Sequence, residues 1–346
     1  MSLPPSGEIP QGAIRFNTDS QRLEFYAQGE WWVMSTDTPN LGRSVDPTPG
    51  ARGIFMGGFN PSASDRIDYI NIASTGNAID FGNLSEARYG RSTASRTRAL
   101  CGSGGTPGYT DRIDFITIAT TGDAIDFGNQ SVSTFEGGAT GNETRGLFAG
   151  GYGASPVKSA DTIDYVTIAT TGDAKDFGNL TFGGWGTRGF SSPTRGIFGC
   201  GYTVAKNSGP TIVVNNIINF VTIATLGDAT DFGDLSIKRT VSATGSNPVR
   251  GVWMGGSGGS PYAATDQIQY IEIASGGNAI LFGDLSTATK HAAGCSSRIR
   301  AVCAGNPSSA TMTYIQIMNL GNSVGFGDLS EARYGSGGTS NDHGGL

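Results

Sequence analysis

Catalysis usually gathers on histidine, cysteine and clustered carboxylates, and this 346-residue chain carries few residues suited to it. Its two histidines, His291 and His343, are too few for an imidazole-bound metal centre. Cys101, Cys200, Cys295 and Cys303 form neither a CxxC pair nor a metal spacing. They fall where matching stretches carry Phe, Met, Gly or Ala, so we expect reduced, small core residues. Asp-Phe-Gly at Asp80, Asp126, Asp176 and Asp231 could hold a metal beside a nucleotide, but no glycine-rich ATP loop or His-Arg-Asp accompanies it. The glycine-rich runs from Gly102 to Gly108 and from Gly255 to Gly259 do not join a strand to a helix, as a phosphate-binding loop must. No Gly-x-Ser-x-Gly marks a nucleophile. Paired carboxylates for glycoside cleavage would have to come from eight Glu or from Asp that recur at fixed intervals. The chain reads as a non-enzyme with no cofactor and no metal. Turns such as Gly122-Asp123 have oxygens suited to Ca²⁺, though turn geometry alone accounts for them.

The charged residues that do recur are arginines. Arg52, Arg98, Arg145, Arg195, Arg250 and Arg300 each open a short apolar run ending in glycine. Such a set could ring an anion, but a residue required by every unit is expected to be architectural, bound to carbonyls or carboxylates. Asp68, Asp114 and Asp164 are candidate partners. Phe81, Phe127, Phe177, Phe232, Phe282 and Phe326 each precede a glycine, and an aromatic stands 12 residues before every one of them. From each of the first five to the next Arg is 17 or 18 residues.

These markers imply their own scaffold. Ile67 to Ala73 and Ala78 to Phe81 are β-rich runs around a turn at Ser74 to Asn77; the Arg-led run is a third strand, and Arg88 to Ser95 a fourth. Four short strands repeated six times predict an all-β, six-bladed β-propeller over residues 51–346. The 55 glycines suit so many turns. The first Arg-led run lacks a preceding strand, while residues beyond Phe326 have no blade of their own. The C-terminal segment is therefore expected to complete the first blade and hide its edge.

The pattern resembles the kelch family of propellers. Carrying the resemblance are Arg88 and Arg333, the doublets Gly57-Gly58, Gly104-Gly105, Gly150-Gly151 and Gly255-Gly256, and the aromatics at Tyr69, Phe115, Tyr165, Phe220, Tyr270 and Tyr314. Phe stands where that family usually has its second aromatic, Trp, and Cys200-Gly201 and Ala304-Gly305 replace two doublets. The resemblance implies the fold and no particular function.

Residues 1–38 lie outside the repeat and read as a β-meander too small to stand alone, with 39–50 a Pro/Gly linker. Gly12, Ile14 to Thr18, Leu23 to Tyr26 and Trp31-Trp32 resemble a short module near the start of tailed-bacteriophage virion proteins, especially marine and cyanophage tail fibres. The resemblance implies docking to other virion proteins, of tail or capsid, through Ile14, Phe16, Phe25, Tyr26, Trp31 and Trp32. It also implies a protein assembled in the host cytoplasm and exposed on the particle. A net charge of −6 without a basic stripe argues against nucleic acid. No secretory leader or 18-residue apolar run is found, so neither export by the usual route nor membrane insertion is expected.

Phe59, Tyr109, Tyr152, Tyr202 and Tyr262 follow the Arg-led runs, in connections of variable length. Aromatics among Ser, Gly and Asn there suit host-surface glycan or protein, although packing against the neighbouring loop also accounts for them. We expect a tail-fibre or receptor-binding virion protein, displayed as a homo-oligomer because weak contacts gain from avidity. A capsid decoration or head-fibre protein is the nearest alternative. A cytosolic kelch-type scaffold and a propeller enzyme acting on polysaccharide belong to other classes.

Overall fold

A computed structural model describes residues 9–17, 22–33, 51–105, 108–153, 159–204, 212–258 and 262–346. Among these residues every regular element is a strand, and the sheets are antiparallel. The chain divides into two compact units, Met1–Pro49 and Gly50–Leu346. The expected linker, 39–50, lies outside the described residues.

In the first unit Ile14–Asn17, Arg22–Ala27 and Glu30–Val33 form a three-stranded meander. Ile14 stands opposite Phe25 and Phe25 opposite Trp32, while Phe16 opposes Leu23, so all five share one face. The other face carries Arg15, Glu24, Tyr26 and Trp31.

The second unit contains six sheets built on one plan. In the first, Gly337–Ser340 pairs with Arg52–Phe59, which pairs with Ala63–Asn71, which pairs with Ile79–Asn83. The strand missing before Arg52 thus comes from the far end of the chain, with Gly337 opposite Met56 and Ser340 opposite Gly53. The other sheets start with the inner strands Arg91–Ala94, Gly138–Gly141, Arg188–Ser191, Ala243–Ser246 and Ala293–Ser296. Each inner strand touches the next, and Gly337–Ser340 touches both Ala293–Ser296 and Arg91–Ala94, so the contacts run in a cycle. The crowding explains their small residues: a Cβ on Gly294 would strike the backbone of Thr244, and one on Gly338 the carbonyl oxygen of Gly294. Each sheet is itself open.

The apolar residues pack between sheets. Ile54, Met56, Ile67 and Phe81 of the first sheet meet Ala99, Cys101 and Ile116 of the second. Matching clusters fill every following seam, ending where Phe55 and Ile70 meet Val302, Met312 and Phe326 across the sixth and first sheets. The four cysteines are free and buried in these seams, and burial raises their thiol pKa values.

The turn read at Ser74 to Asn77 is wider than a tight hairpin, because it also binds the neighbouring sheet. Gly122 and Ala124 donate backbone N–H groups to Phe81 and Asn83 at 2.8 Å, and Asp123 accepts the Asn83 N–H at 2.9 Å. The same three bonds recur at the seams held by Asp173, Asp228, Asn278 and Asn77, with Ser323 replacing Ala beside Asn322 at the remaining one. This use of the Asp accounts for the Gly-Asp turns without a cation.

Candidate functional site

The six repeated arginines tie sheets together. Arg52 stacks over Tyr69 of its own sheet at 4.9 Å and donates to the carbonyl of Ile118 in the next sheet at 2.7 Å. Arg98, Arg145, Arg195, Arg250 and Arg300 repeat the arrangement over Phe115, Tyr165, Phe220, Tyr270 and Tyr314. Their carbonyl acceptors are Ile168, Ile223, Ile273, Ile317 and Ile72. The expected carboxylate partners need correcting. Asp114 stands opposite Cys101, well along the strand from Arg98, and pairs with Arg88 at 3.0 Å and with Ser85. Asp68 pairs with Arg333 at 3.0 Å and with Ser330, and Asp164 accepts from Ser131. Only Arg250, among the six in these pairings, also meets an acid, Glu272, at 2.7 Å.

Antiparallel order sends the connections after the second and fourth strands to the same end of each sheet, and the predicted aromatics gather there. Phe59 stacks on Tyr89 at 5.6 Å and meets Tyr334 at 5.5 Å. Tyr89 leads to Phe135, Phe135 to Tyr109 and Tyr152, and Tyr152 to Trp185 at 5.2 Å. Trp185 stacks on Tyr202, and Tyr202 meets Tyr262 at 5.8 Å. The result is an arc of rings across the first five sheets. Tyr109 and Tyr262 are 39% and 44% exposed, whereas Trp185 is buried beneath its neighbours. Tyr89, Phe135, Trp185 and Tyr334 were not singled out from sequence; each sits just before an inner strand, eight residues after the Phe of a Phe-Gly, and that fixed interval is the signal that could have found them.

Within the arc lies a polar mouth. Backbone N–H groups of Gly90, Gly335, His291, Val241 and Gly186 donate in turn to the carbonyls of Gly335, His291, Val241, Gly186 and Glu136. Glu136, Val241 and His291 have φ of 54°, 51° and 56°, a left-handed conformation that non-glycine residues keep only when their surroundings enforce it. His291 Nδ1 and Glu136 Oε1 stand 3.4 Å apart although they belong to the sixth and third sheets, three steps apart in the cycle. Burial, then the negative charge of Glu136, pushes the Tyr202 hydroxyl up to about 12. Burial and the Tyr334 hydroxyl raise Tyr89 further. The site offers flat aromatic faces around hydrogen-bonding backbone and side-chain groups.

At the opposite end His343 donates from Nε2 to the Ala94 carbonyl at 2.8 Å and accepts the Gly345 N–H at Nδ1. Between the ends are cavities of about 40 Å³ lined by Ser92, Thr140, Ser246 and Thr339 or by Gly90, Thr244 and Ser336. These hold nothing larger than water.

In the first unit Ile14, Phe16 and Trp32 are exposed on the shared apolar face and Phe25 is half-buried. Tyr26 and Trp31 lie on the other face, where their rings are 5.3 Å apart and Arg15 stacks over Trp31 at 4.1 Å. The six expected docking residues therefore divide four to two between the faces. Hydrogen bonds from Asn17 and then Arg15 hold Glu24 below the usual carboxylate range.

A comparison with protein-family models found no match, and a search among curated proteins found no similar chain.

Proposed function

We propose that the six sheets are the blades of a kelch-like six-bladed β-propeller and that the chain is a non-enzymatic bacteriophage virion protein of the tail-fibre, receptor-binding type. The cyclic order of inner strands, the apolar core at every seam and the first sheet completed by Gly337–Ser340 support the propeller. The arc of aromatic rings carries the functional reading. It crosses five sheets on the side of the variable connections and leaves Tyr109 and Tyr262 open to a host-surface glycan or protein. Ile14, Phe16, Phe25 and Trp32 form an apolar face suited to another virion protein, and the resemblance of this module to phage proteins supports the virion assignment.

Labelling intact particles with an antibody against residues 51–346 tests the assignment. Label at the tail tip, with host-cell binding by the full chain that falls when Tyr109 and Tyr262 are replaced by Ala, is the expected result. Label over the head would make this a decoration protein, and unlabelled particles would remove it from the virion.

A further inference from the structure

In a repeat protein, equivalent positions answer the same structural demand, so a departure confined to neighbouring units needs another cause. At the end of the sheets opposite the aromatic arc, the second and third sheets carry Thr97 and Thr144, Ala119 and Ala169, Thr121 and Thr171, and Asp126 and Asp176 at four repeat positions. The sixth sheet has Ile299, Met318 and Leu320 at the first three, and the fifth has Val249 at the first and Leu281 at the last. These five side chains are exposed, from 50% for Met318 to 68% for Ile299. They adjoin across one seam: Ile317 donates its N–H to Ile299, Arg250 beside Val249 donates to Ile317, and Gly321 beside Leu320 donates to Phe282 beside Leu281. The fold does not require them, since Thr, Ala, Thr and Asp serve at these positions in the second and third sheets; the fourth sheet departs only by the exposed Leu226, at the third position.

Charge identifies the occupant. The second, third and fourth sheets each expose two acids near this end, Asp123 with Asp126, Asp173 with Asp176 and Asp228 with Asp231. The fifth and sixth sheets replace these with Asn278 and Leu281, and with Asn322 and Gly325. Of the charges that remain nearby, Arg250 pairs with Glu272 and Arg298 with Asp342, while Arg300 is held by the carbonyls of Ile72 and Ala73. A basic partner would be bound better had the acids been kept. A surface that meets itself about a twofold axis must instead shed like charge, because each residue faces its own counterpart or a near neighbour. We propose that this sector binds a second copy of the chain, forming an isologous dimer across the seam of the fifth and sixth sheets. The proposal depends on the seam alone and holds whether or not the protein belongs to a virion.

Sedimentation of the full chain across micromolar concentrations tests it, beside a variant returned to repeat residues by Val249→Thr, Leu281→Asp, Ile299→Thr, Met318→Ala and Leu320→Thr. The natural chain should have twice the single-chain mass and the variant the single-chain mass, with a cooperative thermal transition that shows it still folds. Exposed Ile125 lies away from the seam, so Ile125→Thr should leave the dimer intact. A natural chain that stays single, including one whose sector instead binds a different virion protein, overturns the proposal. So does a variant that remains dimeric.

Discussion

Asn77 accepts the backbone N–H of Asp328 at 3.0 Å, from 251 residues away in the sequence. That bond belongs to the seam joining the sixth sheet to the first, beside the N–H groups of Gly76 and Ala78 donated to Phe326 and Asp328. Asn77→Ala should remove about 1 kcal/mol from this seam. Amide exchange should accelerate at Asp328 and Gly76 and stay slow at Gly122, which measurement of exchange by residue would resolve.

The stacked arginines make a second prediction. Arg145 couples Tyr165 to the Ile223 carbonyl, so Arg145→Lys keeps the charge but loses the planar fork. A cost of about 1 kcal/mol is expected, rising to about 2 kcal/mol for Arg145→Ala, where the stacking is also lost. Urea midpoints measured for both variants would show this order; equal losses would refute the stacking contribution.

Buried charge separates two aspartates that look alike in sequence. Asp114→Asn removes the buried counter-ion of the nearly wholly buried Arg88, leaving only the exposed Glu86 at 3.4 Å, and should cost about 3 kcal/mol. Asp164 has hydrogen bonds from Ser131 and no ion pair within its sheet, so Asp164→Asn should cost about 1 kcal/mol. The fourth sheet already carries Asn219 at this position, bound by Thr181 at 2.6 Å. Denaturant unfolding of the two variants should differ accordingly.

The repeat made both the six-sheet plan and the crossing of the chain's ends legible. Residue type and spacing mark Arg52 and Tyr69 as repeat positions, but the stacking of one on the other was not foreseen. Contacts between sheets were harder to read. Asp123 has the chemistry of a turn residue, and nothing local reveals that its carboxylate takes an N–H from another sheet. The pairing of Asp114 with Arg88 depends on how far along its strand each stands. Tyr89 and Trp185 stand eight residues after Phe81 and Phe177, as Phe135 and Tyr334 do after Phe127 and Phe326, but Thr240 and Lys290 hold that place in the other two sheets, so the aromatic series is broken. The polar mouth was hidden for a related reason: Glu136 and His291 stand nine residues after Phe127 and Phe282, where the other sheets carry Gly or Val, so their side chains form no series and their contact depends on how the sheets face each other.

A pH dependence follows from His343. Burial lowers its pKa to about 4 from an ordinary value of 6.5. The neutral ring fits, with one nitrogen donating to Ala94 and the other accepting from Gly345. Between these two values the unfolded chain binds the proton and the folded chain does not, so stability is complete above 6.5 and falls as the pH drops toward 4. The loss is on the order of 3 kcal/mol. His343→Gln should flatten this part of the stability profile, measured by unfolding at successive pH values; an unchanged profile would contradict the assignment.

The pairing of Gly337–Ser340 with Arg52–Phe59 also sets a schedule for synthesis. When Ile54 and Phe55 leave the ribosome, the strand that will cover their edge has yet to be translated. At ordinary elongation rates the wait is roughly 15 to 60 seconds. During that time the nascent first sheet offers an unpaired edge to other nascent chains on the same messenger. Translation speed and chaperone supply should therefore govern how often the first sheet acquires its C-terminal strand.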